Sequence, residues 1–189
     1  MSTPDLTLLH APSVYDFRRE SILYGPVSDL VPSTPVFEMY PIGFTTMAEY
    51  LERHDMQTRI VNLAVRMLDE INFDVEDYIK KLDSLVYGID LHWLPHAHGS
   101  IEIAKIVKQY HPRSPVLFGG FSSSYFYKEL IAYPAVDFII RGDSTEYPLL
   151  LLMQYLRSGG ANRPDPTSLA AGQLAAIPNL VYKTSDGEM

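Results

Sequence analysis

Hydrophobic positions in this chain fall into two patterns. Five short runs are apolar almost without interruption: residues 6–10 (LTLLH), 58–63 (TRIVNL), 84–89 (SLVYGI), 115–118 (PVLF) and 136–140 (VDFII). Continuous rather than alternating hydrophobicity predicts strands covered on both faces, and hence a parallel sheet. The second pattern is the i, i+3, i+4, i+7 stripe of a helix with one buried face. It occurs at Phe44, Met47, Ala48 and Leu51, at Val75, Tyr78, Ile79 and Leu82, at Ile103, Ile106, Val107 and Tyr110, and at Leu149, Leu152, Met153 and Leu156. Phe126 and Leu130 mark a weaker helix between the fourth and fifth runs. Asp74 is the expected cap of the second helix, and Ser100 or Gly99 of the third.

Strands alternating with helices predict an α/β fold. With five strands it is expected to be flavodoxin-like (Rossmann-like) and doubly wound, with strand order 2-1-3-4-5. In that order ligands bind outside the carboxyl ends of the strands, where the first and third part company. Two segments fall outside the repeat. Residues 11–42 are a long connection with Pro12, Pro26, Pro32, Pro35 and Pro41, and they begin at the predicted ligand edge. Residues 158–176 read as a linker, and 177–189 as a strand entering a turn at Asp186-Gly187. The expected division is a ligand-binding domain over 1–157, then a linker and the start of a further domain over 158–189.

Composition narrows the function. The 189 residues carry a formal net charge of -8, a surface that repels phosphate backbones, so a nucleic-acid partner is not expected. No apolar run approaches the roughly 20 residues that span a bilayer, and the N-terminus lacks the pattern of a signal peptide, so the expected location is cytoplasmic, with no membrane partner. The chain has no cysteine, which excludes thiolate nucleophiles and thiolate-held clusters within it.

Candidate chemistry gathers at the strand ends. The first run ends in His10-Ala11-Pro12-Ser13, the third leads into Asp90-Leu91-His92-Trp93, the fourth into Gly119-Gly120-Phe121-Ser122-Ser123, and the fifth into Arg141-Gly142-Asp143. Two consecutive glycines let a ligand approach the main chain, and the serines offer hydroxyls and N–H groups at a helix start; a serine-capped tight turn is the plain alternative. Arg141-Gly142-Asp143 reads either as a turn with a surface ion pair or as the border of a large ligand. His92, His96 and His98 crowd one loop, but Pro95 argues against a shared helix face and thus against a metal site. Trp93, the sole tryptophan, lies on that loop, either buried or stacked on a flat ligand.

Four segments together resemble the N-terminal cobalamin-binding domains of radical SAM enzymes: residues 40–63 (YPIGFTTMAEYLERHDMQTRIVNL), 116–124 (VLFGGFSSS), 136–146 (VDFIIRGDSTE) and 177–183 (IPNLVYK). The resemblance implies cobalamin lying across the strand ends, its nucleotide tail beside Gly119-Gly120, with the four strand-end segments as cofactor-binding residues. It also implies a downstream radical SAM domain of the same polypeptide as partner, bearing S-adenosylmethionine and a [4Fe-4S] cluster, and a methyltransferase as the parent enzyme. There are departures. Asp143-Ser144 stands where Glu-Gly is usual. No Asp-x-His-x-x-Gly follows the first strand, and Asp90-Leu91-His92 follows the third and lacks the glycine. The expectation is therefore cobalamin without a protein ligand to cobalt, on a chain with no catalytic residue and no metal ligand of its own. A flavodoxin-like binding or regulatory module without cobalamin is the alternative. A receiver would need acidic residues where the chain has His10-Ala11-Pro12 and a lysine where it has Arg141. A hydrolase is disfavoured, because no Gly-x-Ser-x-Gly is present.

Overall fold

A computed structural model describes residues 3–19, 41–159 and 171–183. Most of the long connection (20–40), most of the expected linker (160–170) and the Asp186-Gly187 turn lie outside the described residues. The elements run β1 (Leu6–His10), α1 (Ile42–Glu52), β2 (Thr58–Asn62), α2 (Leu63–Asp69), α3 (Val75–Lys81), β3 (Val86–Asp90), a 3-10 turn (Leu94–His96), α4 (Ala97–Tyr110), β4 (Val116–Gly119), α5 (Phe121–Tyr125), α6 (Tyr127–Ile131), β5 (Phe138–Ile140), α7 (Glu146–Ser158), α8 (Ala171–Leu174) and β6 (Leu180–Tyr182). The sheet has the order β2-β1-β3-β4-β5-β6. The first five strands in that order are parallel, as expected, and β6 adds an edge strand antiparallel to β5.

Lateral register sorts the strand residues onto two faces, because laterally paired residues point to the same side and the side alternates along a strand. Leu8, Gly88 and Leu117 form one row, and His10, Asp90 and Gly119 fall two positions further along the same face. That face packs against α1 and α7 through Phe44, Leu51, Leu149, Leu152, Met153 and Leu156. Leu9, Ile89 and Phe118 point to the other face, where α2, α3, α4 and α6 bury Met67, Ile79, Ile103, Val107 and Ile131. Both faces are apolar, which is why the runs read as continuous.

Local chemistry explains the departures from expectation. The second run was expected to extend through Leu63, but the strand stops at Asn62, whose side chain accepts a hydrogen bond from Val65 N–H and starts α2. Asp74 caps α3 as expected, accepting from Asp77 N–H. The cap expected at Ser100 or Gly99 does not form. The helix begins at Ala97, the preceding 3-10 turn takes in Pro95, and proline is tolerated in a first turn. Ser100 is instead buried and donates its hydroxyl to Asp90 C=O. Among the described residues no helix is long and apolar enough to cross a membrane.

Candidate functional site

The row His10, Asp90 and Gly119 ends at the carboxyl edge of the sheet, and a cleft of about 460 Å³ opens there. Its mouth is formed by His10, Asp90, His92, Trp93, His96, Gly119, Gly120, Phe121, Gly142, Asp143 and Thr145. It continues down between the sheet and the helices α1 and α7, past Leu8, Gly88 and Leu117 on one wall and Phe44, Met47 and Leu149 on the other. This volume is in the range of small-molecule sites, which are mostly apolar with a few placed polar groups.

Glycine creates the opening. A side chain at Gly119 would meet nothing within 4 Å, so the bare backbone faces open cleft. Gly120 turns the chain out of the sheet at φ 109 and ψ 173, a conformation essentially restricted to glycine. A Cβ there would come within 2.8 Å of Leu91 C and O, so β4 and β3 leave the sheet in close contact.

The polar groups of the rim are largely committed to one another. His10 Nδ1 stands 2.9 Å from both carboxylate oxygens of Asp90, and both side chains are buried. The His96 ring lies 5.4 Å from that of His10. The serines after the Gly-Gly turn are likewise engaged. Ser122 donates N–H and hydroxyl to His92 C=O, Ser123 donates N–H to Leu91 C=O and hydroxyl to Gly119 C=O, and Ser124 Oγ accepts from Gly142 N–H. These groups tie three strand-end loops together instead of standing open at a helix start.

The four predicted segments are thus divided. His10, Asp90, His92, Trp93, Gly119, Gly120, Phe121, Gly142 and Asp143 line the cleft. Ala11, Pro12 and Ser13 turn under the first turn of α4, where Gly99 donates its N–H to Ser13 C=O and a Cβ on Gly99 would come within 1.7 Å of Pro12 O. Leu91 is buried on the opposite face. The Arg141 guanidinium lies 4.1 Å from the centre of the Tyr127 ring, and the main-chain N–H of Arg141 is donated to Asn179 C=O. Beyond Ser13, Asp16 pairs with Arg18, which also donates to Ile71 and Phe73 C=O; burial pushes the Asp16 carboxyl up, but the Arg18 bonds and charge outweigh it and hold the group below its ordinary value. Among the described residues no three histidine or carboxylate side chains are placed to hold a metal ion.

Sequence reasoning missed part of the lining. Phe44, Met47 and Leu149 had been assigned only to helix stripes, and their cleft ends carry no separate signal. Gly43, at the start of α1, meets nothing within 4 Å and faces the cleft, and His96 belongs to the histidine cluster but had no assigned place. Around the mouth, Ile42, Trp93 and Phe121 stand 77%, 49% and 66% exposed, so Trp93 is not buried in the core.

A family model described as "B12 binding domain" matches residues 29–151. No curated protein matches. Among solved structures, the radical S-adenosylmethionine methyltransferase TsrM from Kitasatospora setae, bound to its tryptophan substrate and a SAM analogue, is similar with a TM-score of 0.66 at 17% identity, over 97% of this chain and 29% of that one. The cobalamin-dependent S-adenosylmethionine radical enzyme OxsB, with aqua-cobalamin and S-adenosylmethionine bound, is similar with a TM-score of 0.63 at 14% identity, over 99% of this chain and 22% of that one. At these identities the likeness is one of fold, and the chain spans less than a third of either enzyme. The family match takes in β2 through β5, the whole of α1 and the first residues of α7, and on that match this chain belongs to the B12-binding domain family.

Proposed function

We propose that this chain is the cobalamin-holding part of a radical SAM enzyme and that the parent enzyme is a methyltransferase. The observation that carries the reading is the cleft at the carboxyl edge of the sheet, cleared by Gly119 and Gly43 and continuing as an apolar slot between the sheet and α1 and α7. A flat macrocycle needs an open rim, and a tail that runs down from it needs a slot with no side chain in the way. The similar TsrM and OxsB structures were both solved with cobalamin bound.

In this reading His10, Asp90, His92, Trp93, Gly119, Gly120, Phe121, Gly142 and Asp143 face the corrinoid. Ala11, Pro12, Ser13, Leu91, Ser122, Ser123 and Arg141 act behind them, fixing the loops through buried contacts and main-chain bonds. The open slot beside Gly119 would hold the nucleotide tail. His10 is oriented by Asp90 and is not required as a cobalt ligand. When bound, cobalamin supplies a cobalt centre able to carry a methyl group. The chain contributes binding, orientation and exclusion of water, and none of its residues is catalytic.

S-adenosylmethionine and the [4Fe-4S] cluster belong to a radical SAM domain downstream, since this chain has no cysteine to hold a cluster. The pairing of β6 with β5 supports a hand-over to that domain after β6. The exposed Ile42, Trp93 and Phe121 around the mouth are then covered by corrin and barrel together. The test is to mix the protein with hydroxocobalamin and separate by gel filtration. Corrin absorbance with shifted visible bands should travel with the protein peak. Corrinoid eluting wholly in the small-molecule volume would end the proposal.

A further inference from the structure

We propose that β6 is a latch whose docking on β5 is coupled to occupancy of the cleft: a ligand at the mouth tightens β6, and release of β6 weakens the ligand. This adds regulation to the cobalamin reading and rests on it. The ground for it is where the two ends of β6 lie. The strand runs antiparallel to β5, so Leu180 stands beside Ile140 and Tyr182 beside Phe138. It therefore begins at the carboxyl edge, where the cleft opens, and ends towards the opposite edge of the sheet. From Asn179 to Lys183 the span is about 13 Å at the rise of a strand.

The upstream end is joined to the mouth. The main-chain N–H of Arg141 is donated to Asn179 C=O at 3.0 Å. Gly142 lines the cleft at φ 104 and packs beside Asn179, whose Nδ2 would lie 3.7 Å from a Cβ built on the glycine. Asn179 itself turns at φ 60, a conformation enriched in asparagine, and so directs the chain into β6. The N–H of Gly142 is donated to Ser124 Oγ, and the Ser124 hydroxyl to Gly120 C=O. Gly120, Ser124, Gly142 and Asn179 thus form one line of contacts from the mouth to the start of β6. Ile140, the partner of Leu180, lines the cleft as well.

The downstream end is held by charge. Lys183 Nζ donates to Tyr133 C=O at 2.8 Å and to Val136 C=O at 3.0 Å, and the Asp137 carboxylate attracts the same ammonium. Asp137 also accepts from Val116 N–H and pairs with Lys108, so the anchor reaches β4 and α4. Between its two anchors the strand is only three residues long, and among the described residues it is paired along one edge. Of the three, Val181 alone is buried, on the face opposite the cleft. A short edge strand of this kind opens locally at a fraction of the global stability. A ligand that fixes the 141–143 loop fixes the Arg141 N–H that holds Asn179, and so favours the docked strand. By linkage, the docked strand strengthens the ligand by the same factor.

The experiment measures both halves of that cycle on the 189-residue protein. Hydrogen–deuterium exchange is followed with and without saturating hydroxocobalamin. Exchange in 177–183 should slow about fivefold or more, and by more than in 58–62, the edge strand β2, which does not line the cleft. Val181→Asp puts a charge on the buried side of β6 and releases the strand without touching the cleft. It should weaken hydroxocobalamin, read by the visible difference spectrum, by the factor by which the ligand slows exchange in the native protein. Exchange in 177–183 that is the same with and without bound corrinoid overturns the inference, even where Val181→Asp does not fold. So does a folded Val181→Asp that binds hydroxocobalamin as tightly as the native protein. If hydroxocobalamin does not bind the native protein at all, the cobalamin reading falls and the inference with it, an outcome distinct from binding that leaves β6 unchanged.

Discussion

Replacing Gly120 by alanine should destabilise the fold, whereas the same change at its neighbour Gly119 should leave stability nearly intact and act on the ligand. Gly120 sits at φ 109 and ψ 173, and an L-residue held there costs about 1–3 kcal/mol. The added methyl would also press on main-chain atoms that cannot rotate away: Leu91 C and O at 2.8 Å and His92 N at 2.9 Å. Overpacking of that kind adds a further 1–3 kcal/mol or so. Taking about 3 kcal/mol as the sum, a chain of this length should lose roughly 6–12 °C in Tm. Gly119 has ordinary backbone geometry and nothing within 4 Å of its missing Cβ. Alanine there should shift Tm by no more than about 2–4 °C, the equivalent of about 1 kcal/mol. It does, however, push a methyl group into the cleft and should weaken cobalamin at least several-fold. Thermal unfolding followed by far-ultraviolet circular dichroism, with a corrinoid titration on each variant, separates the two effects. The reasoning fails if Gly120→Ala melts within about 2 °C of the native protein, or if the two variants lose equal stability.

Two further outcomes follow from the rim and its support. His10→Gln keeps a donor to Asp90 but removes the imidazole, so the visible spectrum of bound cobalamin should not change; a shift of the bands would make His10 a cobalt ligand after all. Asp16 is held below its ordinary value of 3.8 by Arg18, so the folded state gives up that proton more readily than the unfolded chain. Its contribution is complete above the ordinary carboxylate range and is lost as pH falls through the depressed folded value. The urea midpoint of Asp16→Asn should accordingly lie below that of the native protein at neutral pH, and the gap should close as the solution is acidified. A gap that widens in acid would refute the assignment.

Much of the fold was legible because both faces of the sheet are covered. Continuous apolar runs gave five strands to within two residues at either end, and the stripes gave α1, α3, α4 and α7. What escaped did so for local reasons. In α2 the buried residues Leu63, Ala64 and Met67 span too few turns to establish a period, and Leu63 extends the preceding run without a break. Only Asn62 could have marked the boundary, since a short polar side chain before an apolar segment is as good a cap as Asp74, which was recognised. For β6 the strand itself was visible, but its partner was not. A strand following a linker carries no mark of which sheet it joins, and the bond from Arg141 N–H to Asn179 C=O that brings it beside β5 joins main-chain atoms.

The site was legible at the level of loops and illegible at the level of faces, and register explains the difference. Strand order alone puts the ends of β1, β3, β4 and β5 on one rim, and that was enough to nominate four segments. Within a segment, alternate residues go to opposite sides, so a continuous stretch such as Asp90-Leu91-His92 cannot all meet one ligand. Asp90 faces the cleft and Leu91 the opposite core. The same rule recovers the His10–Asp90 contact across 80 positions of sequence. β1 and β3 are neighbours in the 2-1-3 order, Leu9 pairs with Ile89, and the next residue of each strand must therefore stand beside the other on the α1 and α7 side. The commitment of the serine hydroxyls follows a different logic. A turn built on Gly119 and Gly120 brings three loops so close that their carbonyls lose water, and Ser122, Ser123 and Ser124 replace it. The glycines that open the cleft thus create the need for the serines beside them. These bonds already tie the three loops to one another, so little affinity is lost to ordering them on binding.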